Sequence, residues 1–118
     1  MRSIFRPHSK ARSSAFAAAL VLLALSTGRG AVASAPAVHI VNMDGTGFVP
    51  ADLTVTLGDT VEWVNKDPFP HTATSDTGGF DSKKIPAGQS WKYTTTKKGD
   101  FDYVCTYHDN MTGTLHVR

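Results

Sequence analysis

Four side chains in this 118-residue chain have types and spacings that could do chemistry together. Near the C-terminus, Cys105-Thr106-Tyr107-His108-Asp109-Asn110-Met111 sets a thiol, an imidazole and a thioether in the pattern C-x2-H-x2-M. Far upstream, His71 stands in Phe69-Pro70-His71-Thr72. A thiolate, two imidazoles and a thioether are the soft and borderline ligands that copper selects. Two histidines and a cysteine in a trigonal set, with a weak axial methionine, make a blue-copper electron-transfer site. A tight loop between two strands can aim Cys105, His108 and Met111 at one point, and a rigid upstream loop can bring His71 to it. Ligands fixed in this way hold one geometry for both oxidation states, which lowers reorganisation during electron transfer.

Each of these residues also has an ordinary reading. A lone buried cysteine is usually structural. Cys105 with His108 could be a nucleophile and its base, but no third orienting residue or oxyanion loop is visible. Met111 could be plain core, yet its neighbours are polar. His71 could be a loop histidine. The joint spacing of the four favours the metal. His116 shares a strand face with Thr114 and Arg118 and reads as solvent-facing. His39 lies near Met43, and a second copper site there is weakly supported. Asn110-Met111-Thr112 matches a glycosylation sequon, read as accidental because a glycan beside a ligand loop would obstruct partners. Lys83-Lys84 and Lys97-Lys98 read as solvated turn charges.

The elements that must position these residues alternate with period two from Val38 onward. Leu53, Val55 and Leu57 alternate with threonines; Val61 and Trp63, Trp91 and Tyr93, Phe101, Tyr103 and Cys105, and Leu115 and Val117 continue the pattern. Each run has one apolar and one mostly polar face, as in a sheet that covers a core on one side. Turn signals separate the runs, among them Asp44-Gly45-Thr46-Gly47, Gly58-Asp59, Gly78-Gly79 and Lys98-Gly99-Asp100. No twelve-residue window carries helical periodicity. The expectation is an all-β Greek-key sandwich of about seven to eight strands, with Trp63 and Trp91 in its core.

The composition bounds the rest. An apolar share of 41% suits a globular domain. One cysteine excludes an internal disulfide framework and zinc sites built from thiolates alone. The formal charge of +2 misleads. Five of the twelve basic residues and none of the ten acidic ones precede residue 34, which leaves seven against ten, a net −3. Basicity therefore argues for export and gives no support for nucleic-acid binding. Arg2, Arg6, Lys10 and Arg12 form a basic n-region, Ala15 to Leu25 an apolar h-region of eleven residues, and Ala31-Val32-Ala33 an A-x-A cleavage site. The run is too short to cross a bilayer. The expected organisation is a signal peptide over 1–33 and a domain over 34–118, with no membrane insertion after processing.

The sequence resembles the small blue copper proteins, the cupredoxins, of the amicyanin and plastocyanin type. The resemblance runs from about Phe48 to Val117. It rests on Gly58-Asp59-Thr60-Val61-Glu62-Trp63-Val64-Asn65, on Phe69-Pro70-His71-Thr72, on Gly99-Asp100-Phe101-Asp102-Tyr103-Val104-Cys105-Thr106, and on His108, Met111 and Gly113. The short ligand loop, two residues on each side of His108, is the amicyanin-like form. The resemblance implies one type 1 copper ion with His71, Cys105 and His108 equatorial and Met111 axial. It implies an eight-stranded sandwich, of which the first strand could be short or missing here.

Two departures carry expectations. Relatives of this type usually have Asn after the upstream histidine, where this chain has Thr72. The Thr72 backbone N–H can still bond the Cys105 sulfur, but the side-chain tether between the two ligand loops is expected to be lost or altered. Two residues after the cysteine, a frequent Pro is replaced by Tyr107. Its N–H is expected to give the sulfur a second hydrogen bond and to raise the reduction potential, because such bonds stabilise the thiolate more when copper is reduced.

The function implied is a non-enzymatic, exported one-electron carrier cycling between Cu(II) and Cu(I), periplasmic and monomeric. His108 would be the electron port, and Tyr107 would belong to its apolar rim. Partners would be redox proteins, a c-type cytochrome or a periplasmic dehydrogenase, docking transiently. The alternative is a copper-binding protein for buffering or delivery; with only three methionines, the chain lacks the Met-rich tracts that would favour it. An oxidase or nitrite reductase would need a second copper site, for which too few histidines remain.

Overall fold

The computed structural model describes residues 35–118 together with Gly28 and Gly30. The basic n-region, the apolar run and the cleavage site read in the sequence lie outside the described residues. Nine strands make up two sheets, and no helix occurs among the described residues: β1 Val38–Asp44, β2 Gly47–Val49, β3 Asp52–Val55, β4 Thr60–Asn65, β5 Thr74–Ser75, β6 Phe80–Asp81, β7 Ser90–Thr94, β8 Gly99–Val104 and β9 Thr112–Val117. One sheet has the order β2-β1-β4-β7 and the other β3-β9-β8-β5-β6. Both are mixed, because β1 runs parallel to β4 and β3 parallel to β9, while the other pairs are antiparallel. Seven strands have three residues or more; β5 and β6, of two residues each, add a short hairpin at one edge. The all-β sandwich expected from alternation is the fold. The first strand of this chain, β1, is seven residues long.

Alternation builds the core because the inward face of each strand is the apolar one. Val41, Met43, Val61 and Trp63 come from the first sheet, and Val55, Phe101, Tyr103, Leu115 and Val117 from the second, all buried. Trp63, wholly buried, sits 5.4 Å from both the Phe80 and Tyr103 rings and 5.7 Å from Trp91. Trp91 is only partly buried against this cluster. Gly113, opposite Tyr103 on β9, is where the aromatic ring crosses the neighbouring strand. A Cβ there would stand 2.5 Å from Tyr103, so no larger residue fits without moving the ring.

One alternation expectation fails. Leu57 is exposed, because β3 ends at Val55 and the chain turns through Gly58, whose φ of +94° suits glycine. The edges and corners are tied by polar groups. The carboxylate of the buried Asp59 accepts the N–H groups of Ala37 and Thr56 and lies 2.9 Å from His39 Nε2, which holds β1 against the β3–β4 turn. The backbone amide of Ala37 is the largest cause holding the Asp59 carboxyl below the usual range.

Candidate metal centre

Two segments meet at one end of the sandwich. The first is the loop between β4 and β5, which β4 delivers through the buried Asn65. Asn65 Nδ2 donates to the carbonyls of Phe69 at 2.7 Å and Ile85 at 3.0 Å, while its Oδ1 accepts the N–H of Asp67 at 2.9 Å. Pro68 and Pro70 fix their own φ angles within the same stretch. His71 then pairs with Ile85 in both directions, by N–H···O bonds of 3.2 and 2.8 Å. The loop is thus held by its two prolines and by the Asn65 and Ile85 hydrogen bonds, and it presents a histidine that is 1% exposed.

The second segment leaves β8 at Cys105 and enters β9 at Thr112. The Cys105 N–H donates to the Met111 carbonyl at 3.0 Å and closes the loop, and His108 N–H lies 3.5 Å from the Cys105 carbonyl. Asn110 takes a left-handed φ of +61°, a conformation its short polar side chain tolerates. Cys105 and Met111 are buried and His108 is half-buried.

The two segments bring three ligating atoms together. His71 Nδ1 lies 3.7 Å and His108 Nδ1 3.4 Å from Cys105 Sγ. The three donors lie within 4.8 Å of one another, and no other such group occurs among the described residues. The imidazole rings are 4.8 Å apart at 44°. Two neutral-capable imidazoles and one thiol, gathered in a largely dry pocket, fit copper by donor chemistry. Met111, the expected axial ligand, belongs to the same closed loop and is 1% exposed.

The two departures resolve differently. Cys105 Sγ accepts the Thr72 N–H at 3.4 Å, as expected. The tether between the loops is altered and kept: Thr72 Oγ1 accepts the Thr106 N–H at 2.9 Å and lies 3.2 Å from Thr106 Oγ1. A hydroxyl therefore supplies here the tether that the resemblance led one to expect from an amide. No hydrogen bond joins the Tyr107 N–H to the sulfur, so the expected second bond is not present.

Sequence reasoning missed Asp67. Its Oδ2 lies 2.6 Å from His71 Nε2 and its Oδ1 accepts the Gly45 N–H at 2.9 Å. The Gly45 amide is the largest cause holding this carboxyl below the usual range, and the His71 hydrogen bond adds to it. The available signal was a carboxylate four residues before the histidine. His39 and His116 stand outside the centre. His39 is bonded to Asp59 and ties β1 to the β3–β4 turn, whereas His116 is bonded to Asp52 and Asp100 and ties β9 to β3 and β8. On the outside of the centre, Phe69 (65% exposed) and Tyr107 (51% exposed) flank His108 and, with Pro70, form an open apolar recess.

Comparison with known proteins agrees with this geometry. A family model for the cupredoxin-like domain matches residues 15–117. Amicyanin of Paracoccus versutus is 29% identical over 83 residues, which cover 66% of this chain and 63% of that protein. The minor chloroplastic plastocyanin of Arabidopsis thaliana is 31% identical over 91 residues, covering 64% of this chain and 53% of that one. The chain thus spans somewhat over half the length of these curated relatives. Among solved structures, an oxidised amicyanin variant superposes with a TM-score of 0.62 at 27% identity, over 68% of this chain and 81% of that one. A copper-containing nitrite reductase of Thermus scotoductus superposes with a TM-score of 0.65 at 34% identity, over 75% of this chain but only 24% of the enzyme.

Proposed function

The chain belongs to the cupredoxin-like domain family, and from that premise we propose that it is an exported type 1 copper protein that carries single electrons between redox partners. The observation that carries the reading is the convergence of His71, Cys105 and His108 in one buried cluster. In this reading His71, Cys105, His108 and Met111 would hold the copper ion. Copper held there would supply a one-electron Cu(II)/Cu(I) couple. The protein's own residues hold the donors in place, keep water out and leave one edge accessible.

The accessible edge is that of His108. His71, Cys105 and Met111 are each 3% exposed or less, whereas His108 is half-buried and rimmed by Phe69, Pro70 and Tyr107. A small apolar rim around one ligand suits brief docking, in which little area is desolvated and dissociation stays fast. The partners are proposed to be a c-type cytochrome or a periplasmic dehydrogenase, and the carrier itself a monomer. The leader over 1–33 and the domain over 34–118 belong to the same proposal, which places the processed protein in the periplasm. The enzymatic relative does not extend its activity to this chain, which covers 24% of it and holds one ligating cluster among its described residues.

A copper titration of the purified exported protein, followed by visible absorption, tests the reading. An intense blue band at one copper per chain, bleached by ascorbate and restored by ferricyanide, is the expected result. Binding of Cu(I) with no blue Cu(II) form would overturn the carrier and leave copper buffering or delivery.

A further inference from the structure

We propose that Asp67 is a positioning residue of this metal centre. Its carboxylate fixes His71 as the Nε2–H tautomer, frees Nδ1 for the metal, and anchors that ligand to the β1–β2 turn through Gly45. The proposal deepens the copper reading above and rests on it.

His71 is 1% exposed, so its ring nitrogens must find partners inside the protein. Nδ1 faces Cys105 Sγ at 3.7 Å and Nε2 faces Asp67 Oδ2 at 2.6 Å. An ionised carboxylate can only accept, so the proton belongs on Nε2 and the lone pair on Nδ1. The tautomer needed for ligation is then set before any metal arrives. The carboxylate cannot swing away easily. Its second oxygen accepts the Gly45 N–H at 2.9 Å, its own N–H donates to Asn65 Oδ1, and its side chain is 12% exposed. Gly45 belongs to the tight turn between β1 and β2, so the ligand's orientation is referred to a turn at the β2 edge of the sheet that contains β4.

The arrangement has an electrostatic consequence. A negative charge one imidazole away from the metal favours the more highly charged ion, which is Cu(II). A plain loop cap would affect stability alone; a positioning carboxylate also affects the ratio of Cu(II) to Cu(I) affinity. Asp67→Asn separates the two. An amide has one acceptor and one donor face. If its oxygen meets Gly45, its NH2 opposes Nε2–H and drives the proton to Nδ1. If its oxygen meets His71, its NH2 opposes the Gly45 N–H.

The test compares Asp67→Asn, Asp67→Glu and Asp44→Asn in the purified protein. Asp44 is an exposed carboxylate at the end of β1 beside the same turn, and removing it deletes a charge without touching His71. Asp67→Asn is expected to lower Cu(II) affinity about 10- to 100-fold, the usual effect of losing such a partner. Cu(I) affinity should fall less, and the reduction potential should rise, by ~59 mV for each tenfold change in the affinity ratio. Asp67→Glu should recover part of the loss, and Asp44→Asn should shift neither quantity comparably. Nitrogen-15 NMR of the metal-free wild type should show a slowly exchanging proton on His71 Nε2. An Asp67→Asn potential no different from that of Asp44→Asn overturns the proposal. So does a His71 proton found on Nδ1, a result that stands even if the variants do not fold. A wild type that gives no blue copper form defeats the carrier reading, while the position of the His71 proton still decides the role of Asp67.

Discussion

His71 and His116 are both histidines paired with aspartates, and they do opposite things. His71 has one ring nitrogen 2.6 Å from Asp67 and keeps the other for the cluster around Cys105. His116 has Nε2 2.6 Å from Asp52 and Nδ1 2.7 Å from Asp100, so neither nitrogen is left for a metal. The first is buried; the second has a side chain 26% exposed on the outer face of β9. The difference lies in how many carboxylates a ring meets and how dry the place is. On the reading proposed above, one carboxylate in a dry loop orients an imidazole as a ligand. Two carboxylates at the surface favour an imidazolium that bridges β3, β9 and β8 as a strut.

The comparison breaks most completely at Cys105. The sulfur is what Nδ1 of both His71 and His108 converge on. Cys105→Ser removes the thiolate, and with it the charge-transfer band that makes such centres blue. The expected result is loss of essentially all the blue absorption in a copper titration. The matching change at the other histidine, His116→Gln, should leave that spectrum untouched. A blue spectrum that survives Cys105→Ser would remove the site from this loop.

A middle-sized effect is expected at Thr72. Its hydroxyl accepts the Thr106 N–H at 2.9 Å and so joins the two ligand loops. Thr72→Val preserves the shape and deletes the acceptor, which leaves that N–H without its partner. The cost is about 1–3 kcal/mol, measurable by urea unfolding of the metal-free protein. The same cost for a change on the His116 surface would mean that the tether has no special standing. An unchanged urea midpoint for Thr72→Val would mean that water or Thr74 takes over the bond.

What the sequence made legible follows from the same physics. Residue type and spacing singled out Cys105, His108 and Met111, which share one short loop, and the structure gathers the first two with His71. His71, 34 residues from Cys105, was tied to them by donor chemistry and by resemblance, since no local pattern states which loops meet. Alternation located the long strands because burial acts on every second residue. It failed at Leu57, where a turn overrides the pattern, and it could not register β5 or β6, which are too short to show a period. Asp67 stayed hidden because loop carboxylates have no periodicity. Only the Asn65 clamp and the Gly45 amide give its position meaning. The hydroxyl tether at Thr72 and the missing N–H···S bond at Tyr107 turn on distances of a few tenths of an ångström, which residue types alone do not encode.

The smallest effect is the most discriminating about the strut. His116 has its pKa raised, first by the hydrogen bond it donates to Asp100 and second by the one it donates to Asp52. Asp100 has its own lowered, by His116 and then by Arg118, whose guanidinium lies 2.7 Å away. The signs set the pH window. A raised histidine contributes stability that is fully present below its unfolded value, about 6.5, and is lost as pH rises through the higher folded value. A lowered aspartate contributes stability that is present above its ordinary value of 3.8 and is lost as pH falls through the folded value. The strut is therefore at full strength between these limits and weakens on both sides. Both groups are open to solvent, so screening keeps the effect small. Thermal melts of the metal-free wild type and His116→Gln should differ most near pH 5–6, and the gap should close as pH rises past the raised histidine value. A gap that stayed constant into alkaline solution would mean that His116 acts through packing alone. A second histidine with carboxylate partners would then be a strut without a charge, and the contrast with His71 would rest on burial only.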